Sequence, residues 1–284
     1  MAPAVLLPLQ PIPPDSRQRE LAREFLSDHE KLHAYFGRLR KAVDAELAPA
    51  MPEFAGKPYP LGRCREIRDT LYDRLIAELH APACETSSAL RAFIQAGGIG
   101  RKIWGVLRES YFQNAMQFGP WYVDVSNDTV NPNKPQIEIL PIEESGMVAV
   151  EDFFHFARIA NSYWQCEVYA NSVAPGIAAI FPMICCNKDG AAWLAVASDQ
   201  MIAMTRSREF RPALEFVEGT PEPPEPLARL LKARLARCAH EILSEEGDPR
   251  EAIKARIAAS SFRDETYYTK CVDAFHAFQD LSGN

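Results

Sequence analysis

The stretch Gly119 to Pro135, GPWYVDVSNDTVNPNKP, decides how the chain is read. Trp121, Val123 and Val125 alternate with Tyr122 and Asp124, the period-2 signature of a strand with one buried face. A second alternating run, Gln136 to Leu140, follows, so the two predict a hairpin joined by residues 126–135. Ordinary hairpin loops hold two to five residues, which marks this connection as unusual. Its Ser126, Asn127, Asp128, Asn131 and Asn133 are the residue types that cap, turn and coordinate.

Upstream the period is helical. Leu21, Phe25, Leu32, Phe36, Leu39, Val43 and Leu47 form a stripe that predicts one long helix from Ser16, capped by Asp15 or Ser16 and closed by Pro49. It carries His29 and His33 four residues apart, a spacing that can share a metal, although no HExxH pattern accompanies them. Further helices are predicted over Gly62–His80, from Thr86 to the Gly97–Gly98 pair, and over Arg101–Phe118. Downstream, Glu151 and Asp152 open a helix that buries Phe153, Phe156, Ala157, Ala160 and Trp164. Strands are expected at Cys166–Ala170, Ile180–Cys186, Ala191–Ala197 and Ala213–Val217. Helices are expected over Leu227–Gly247, from Asp248, and from Asp264 to about Leu281.

This order predicts an α+β fold. Its centre is a mainly antiparallel sheet of about five or six strands, flanked by N-terminal helices and three C-terminal ones. Residues 1–15, with five prolines, read as an extended disordered tail, and 16–284 as one globular domain. Within it 16–118 is helical, 119–219 forms the sheet with one helix, 220–226 (TPEPPEP) is a Pro/Glu linker, and 227–284 is helical again.

Charge is unevenly distributed along the 284 residues. From 16 to 120 there are 16 basic and 13 acidic residues; from 121 to 226 there are 6 and 15; from 227 onward there are 9 of each. The excess negative charge of the middle third argues against a nucleic-acid groove there, because phosphates require Lys and Arg. No apolar run reaches the roughly 20 residues of a membrane helix. Seven scattered cysteines without a CxxC pair read as reduced thiols of a cytoplasmic protein.

The candidate chemistry concentrates near the opening stretch. Asp124, Asp128 and Glu138, with His155, are the candidate catalytic group, and the three carboxylates could share a divalent metal. Asp124, Ser126 and Asp128 begin like an EF-hand loop, but Thr129 at its sixth position and Pro135 at its twelfth exclude that motif. Glu151 or Asp152 could orient the His155 ring. Trp121, Tyr122, Asn127 and Asn131 are the candidate ligand-binding residues. No GxSxG, HExxH or GxGxxG is present, which removes the main support for serine hydrolases of that type, zincins and Rossmann dehydrogenases. The function these observations favour is a soluble interaction or ligand-binding protein whose acidic central region contacts a basic protein partner or a small molecule. The alternative is a divalent-metal-dependent enzyme acting on a small polar substrate through the carboxylates near Asp124.

Overall fold

A computed structural model describes residues 10–195, 199–238 and 240–280. The fold is α+β, as expected, but the chain divides between residues 149 and 150 into two compact units, each with its own sheet.

In the N-terminal unit, α1 (Ser16–Phe25) and α2 (His29–Ala50) replace the single long helix. Asp15 caps the first, accepting from the Gln18 amide at 2.8 Å, and Asp28 caps the second, accepting from Lys31 at 3.0 Å. A second good N-cap residue inside the stripe is what restarts the helix there. After the two-residue strands β1 (Glu53–Phe54) and β2 (Lys57–Pro58) come α3 (Cys64–His80) and α4 (Glu85–Gln95), both close to expectation.

The expected helix over Arg101–Phe118 is instead a hairpin, β3 (Gly100–Leu107) and β4 (Tyr111–Phe118). All eight residues of β4 are buried, so neither face shows the polar alternation that marks a half-solvated strand. The turn is made by Arg108 and Glu109, both at φ +52°, where Gly, Asn or Asp would have signalled it. The sheet continues through β5 (Trp121–Asp124) and β6 (Glu138–Pro141). The short helix α5 (Ile142–Ser145) then leads to β7 (Met147–Val148). All neighbours are antiparallel in the order β6-β5-β4-β3-β7, and β5 pairs with β6 as the expected hairpin, Tyr122 opposite Leu140 and Asp124 opposite Glu138. Leu32, Phe36, Leu39 and Val43 of α2, with Ile67, Leu71, Leu90 and Phe93, pack on Met116, Phe118, Val123 and Val125 of the sheet.

Residues 1–9 of the expected tail lie outside the described residues. Its last part is held: the Ile12 amide donates to the Gln117 side chain at 3.0 Å, and Arg101 donates to the Gln10 carbonyl at 3.1 Å.

The C-terminal unit begins with α6 (Phe153–Trp164) and a three-stranded antiparallel sheet, β8 (Cys166–Ala170), β9 (Met183–Asn187) and β10 (Ala192–Leu194). Helices α7 (Asp199–Ser207), α8 (Arg211–Gly219), α9 (Glu225–Leu235), α10 (Pro249–Ala258) and α11 (Glu265–Asp280) follow. The expected strand Ala213–Val217 is therefore helical; Ala213, Phe216 and Val217 are buried at i, i+3 and i+4. The expected helix Leu227–Gly247 stops at Leu235, and Glu241–Ser244 form a separate 3₁₀ turn. Gly176 explains where that turn rests. A Cβ there would lie 2.2 Å from the Ile242 carbonyl oxygen, so only glycine lets the two backbones approach.

The loop between β5 and β6 is locked by one buried cation. Arg40 of α2 is fully buried. Its Nη1 donates to the Val125 carbonyl at 2.7 Å and to Asp128 Oδ1 at 2.9 Å, its Nη2 to Asp128 Oδ2 at 3.0 Å, and its Nε to Asp44 Oδ1 at 2.7 Å. Burial opposes the charge, but Asp128 and Asp44 outweigh it and raise the guanidinium pKa further. Replacing Arg40 by Leu strands the Asp128 carboxylate in the interior. The expected cost is about 3–5 kcal/mol in urea denaturation, and Arg40→Leu with Asp128→Leu should recover much of it.

Candidate functional site

The residues expected to form a site near Gly119–Pro135 are ordered, but mostly by one another. Asp124 projects from the last position of β5 and is fully buried. It accepts from Gln113 Nε2 at 2.6 Å, from the Tyr122 hydroxyl at 3.1 Å, and from the Ser126 amide and hydroxyl at 2.8 and 3.1 Å. Asp128 has both oxygens on Arg40. Glu138 sits opposite Asp124 in the ladder and receives Arg108 Nη2 at 2.8 Å. Asp124 and Asp128 thus have both oxygens bonded to donors, and Glu138 has one oxygen on Arg108. Among the described residues no group of three His, Cys, Asp or Glu side chains is placed to hold a metal ion. At Asp124 and Asp128, hydrogen bonds occupy lone pairs that the expected metal site would use.

His155 belongs to the C-terminal unit, near the start of α6. Its amide donates to the Asp152 carboxylate at 2.7 Å, and its ring Nδ1 accepts the Glu151 amide at 3.2 Å. The first of these contacts is the N-cap of α6.

The candidate ligand-binding residues are also built in. The Trp121 ring meets His29 edge-on at 4.1 Å, and the Tyr122 hydroxyl is held on Asp124. Asn127 donates to the Pro135 carbonyl at 3.0 Å, and Asn131 Oδ1 accepts the Asn133 amide at 3.0 Å, an Asx turn. Trp121 Nε1 and Asn127 Oδ1 remain buried without partners.

The acidic middle third is met by cations from the segments on either side. In the N-terminal unit Arg19 pairs with Glu143, Arg40 with Asp128 and Arg108 with Glu138. In the C-terminal unit Arg250 pairs with Glu222 at 3.0 Å, Lys254 approaches Glu218 at 3.8 Å, and Arg229 pairs with Glu225. Apart from the buried Arg40–Asp128 pair, these exposed pairs contribute little stability, about 0–1 kcal/mol each, but they spread the charge that the sequence concentrates.

Two clefts lie in the C-terminal unit. A cleft of about 440 Å³ opens between the 3₁₀ turn at Glu241–Ser244 and the start of α11, within the size range of small-molecule sites. Arg256 is part of its lining. Its Nη2 grips both Glu245 oxygens at 2.6 and 2.7 Å, and the guanidinium lies 4.8 Å from the centre of the Tyr267 ring. Tyr267 is fixed in turn by its hydroxyl, which donates to the Gly176 carbonyl at 2.9 Å. Lys270, Ser261, Thr266, His240, Glu241 and Asp264 complete the polar lining, and His240 Nδ1 is buried without a hydrogen-bond partner. A neighbouring cleft of about 460 Å³ shares Glu245 and adds the apolar Val173, Leu235 and Leu243. The unbroken apolar stripe from Leu227 hid this region. The break after Leu235, which sequence periodicity does not register, is what brings His240 and Glu245 to the rim.

Comparison with protein-family models, curated proteins and solved structures finds no match to this chain.

Asp124 makes the N-terminal unit sensitive to pH. Burial raises its pKa from 3.8 to about 6, against the pull of the Gln113, Ser126 and Tyr122 hydrogen bonds. Between those values the folded state binds the extra proton. The stability from this group is therefore full below about pH 4 and is lost as pH rises through 6, on the order of 3 kcal/mol in all. Roughly 2 kcal/mol of that loss falls between pH 4.5 and 7.5. Urea titrations at those two pH values should show the loss in the native chain and not in Asp124→Asn; equal losses in both would rule it out.

Proposed function

We propose that the protein binds a small polar molecule, and that the cleft beside His240 in the C-terminal unit receives it. The observation that carries this reading is the His240 imidazole, a residue of the cleft lining whose Nδ1 is buried and unmatched. An unsatisfied buried polar atom costs about 1–3 kcal/mol, which a ligand offering one hydrogen bond recovers. The surrounding groups supply both donors and acceptors, and Arg256, stacked on Tyr267 and held by Glu245, is preorganised.

The ligand-binding side of the sequence reading is thereby kept, but its location moves away from the acidic middle third, whose carboxylates have internal partners. A carboxylate-centred metal enzyme at Asp124 has no such support, since that side chain is fully buried and bonded on both oxygens. A reducing, cytoplasmic setting fits the seven unpaired cysteines, and the overall charge of −7 favours ligands other than nucleic acid. No described helix is long and apolar enough to cross a membrane.

The test is a thermal-shift screen of the full chain against amino acids, nucleotides, sugar phosphates and organic acids, repeated in His240→Leu. A ligand present at 100 times its Kd should stabilise the protein by about 2.7 kcal/mol. His240→Leu should itself be neutral or stabilising, because it removes the unmatched nitrogen, and should weaken that ligand about tenfold or more. A ligand whose effect is unchanged in His240→Leu would place binding elsewhere and refute the proposal.

A further inference from the structure

The charged groups that line the cleft beside His240 divide into those already engaged and those that are not. Arg256 and Glu245 neutralise each other through both carboxylate oxygens. Asp264 caps α11, its Oδ1 accepting the Thr266 amide at 2.8 Å. Lys270 and Glu241 also line the cleft, and among the described residues neither side chain has an ion pair or a hydrogen bond. They come from different elements, Lys270 from α11 and Glu241 from the 3₁₀ turn. The cleft therefore offers one unmatched charge of each sign.

A second observation is independent of that count. Ser261 is 8% exposed and lines the same cleft, yet among the described residues its hydroxyl has no hydrogen-bond partner. It immediately precedes α11, on which Thr266 and Lys270, four residues apart, share a face. Two hydroxyls and an ammonium group at the positive end of a helix are a donor set for a carboxylate. A bare anion would nevertheless meet the carboxylates of Glu241 and Asp264, which are the excess charge of the lining once Arg256 is set against Glu245. A simple amine would leave Lys270 without a counter-charge. A small molecule that carries both charges satisfies both groups.

We propose that the molecule received by this cleft is a zwitterion of the α-amino acid type, an inference that rests on the reading of the cleft as the binding site. Its carboxylate is held by Lys270 and the Ser261 hydroxyl, and its ammonium group by Glu241. Arg256, clamped by Glu245 and lying over the Tyr267 ring, supports the site without supplying the recognising charge.

The experiment measures the thermal midpoint of the full chain with each of the standard amino acids. For every one that raises it, the measurement is repeated at equal concentration with the amine that lacks its carboxylate and the acid that lacks its amino group. An amino acid should raise the midpoint, and neither fragment should. Calorimetric titration should show its affinity weakened at least about tenfold in Lys270→Met and in Glu241→Gln, and several-fold in Ser261→Ala. Lys270 and Glu241 are exposed, so the midpoints of those two unliganded variants should match that of the native chain. The absence of any stabilising amino acid, a fragment as effective as the whole, or affinity unchanged in Lys270→Met or Glu241→Gln would each overturn the proposal. A molecule of another class whose effect disappears in His240→Leu would overturn this inference alone and leave the cleft as the binding site. An amino acid bound equally well by His240→Leu would refute both.

Discussion

Arg40 is the constraint on which the N-terminal unit depends. Its guanidinium leaves α2, crosses the apolar layer and ends on the Val125 carbonyl and the Asp128 carboxylate. A charge in that position is tolerable only because every strong acceptor near it is aimed at it, and Asp44 is itself held by the Tyr59 hydroxyl at 2.6 Å and Gln136 at 3.2 Å. The loop over 126–135 is consequently long without being loose. Its polar side chains bond to the backbone, to α2, to Asp124 and, through Lys134, to the Tyr111 hydroxyl, and the strand it follows delivers Asp124 into a buried nest of Gln113, Tyr122 and Ser126.

Sequence periodicity revealed the elements whose faces differ in polarity. The α2 stripe, the hairpin of β5 and β6, β8 and the amphipathic α11 all bury one side and expose the other, so apolar residues recur at a readable spacing. It failed where that contrast vanishes. In β4 both faces are buried, and its turn rests on Arg108 and Glu109 in the left-handed region without a glycine to announce it. In Ala213–Val217 a five-residue apolar run is compatible with either period, and only packing chooses the helix. The two-unit division was equally invisible, because no glycine- or proline-rich linker marks residues 149 and 150.

The candidate residues illustrate a related limit. Composition located a dense set of acids and amides correctly but could not tell a binding group from a structural one, since both are short polar side chains beside a strand. The difference lies in what meets them: Arg40 for Asp128, Arg108 for Glu138, four hydrogen bonds for Asp124. Conversely the cleft near His240 is assembled from ordinary residues of the 3₁₀ turn, α10 and α11, brought together by the end of α9 at Leu235 and by the near-contact at Gly176. No local pattern carries that information.

The ion pairs divide along the same line as the fold. Glu143, Asp128 and Glu138 find cations made earlier in the chain, at Arg19, Arg40 and Arg108, whereas Glu218, Glu222 and Glu225 find theirs later, at Lys254, Arg250 and Arg229. During synthesis from the N-terminus, the first unit can therefore neutralise its acids as they emerge from the ribosome. The second must carry unpaired carboxylates until α9 and α10 have been made. The acidic centre of the sequence is in this sense an interval in time: a stretch of nascent chain held apart by its own repulsion until its counter-charges arrive.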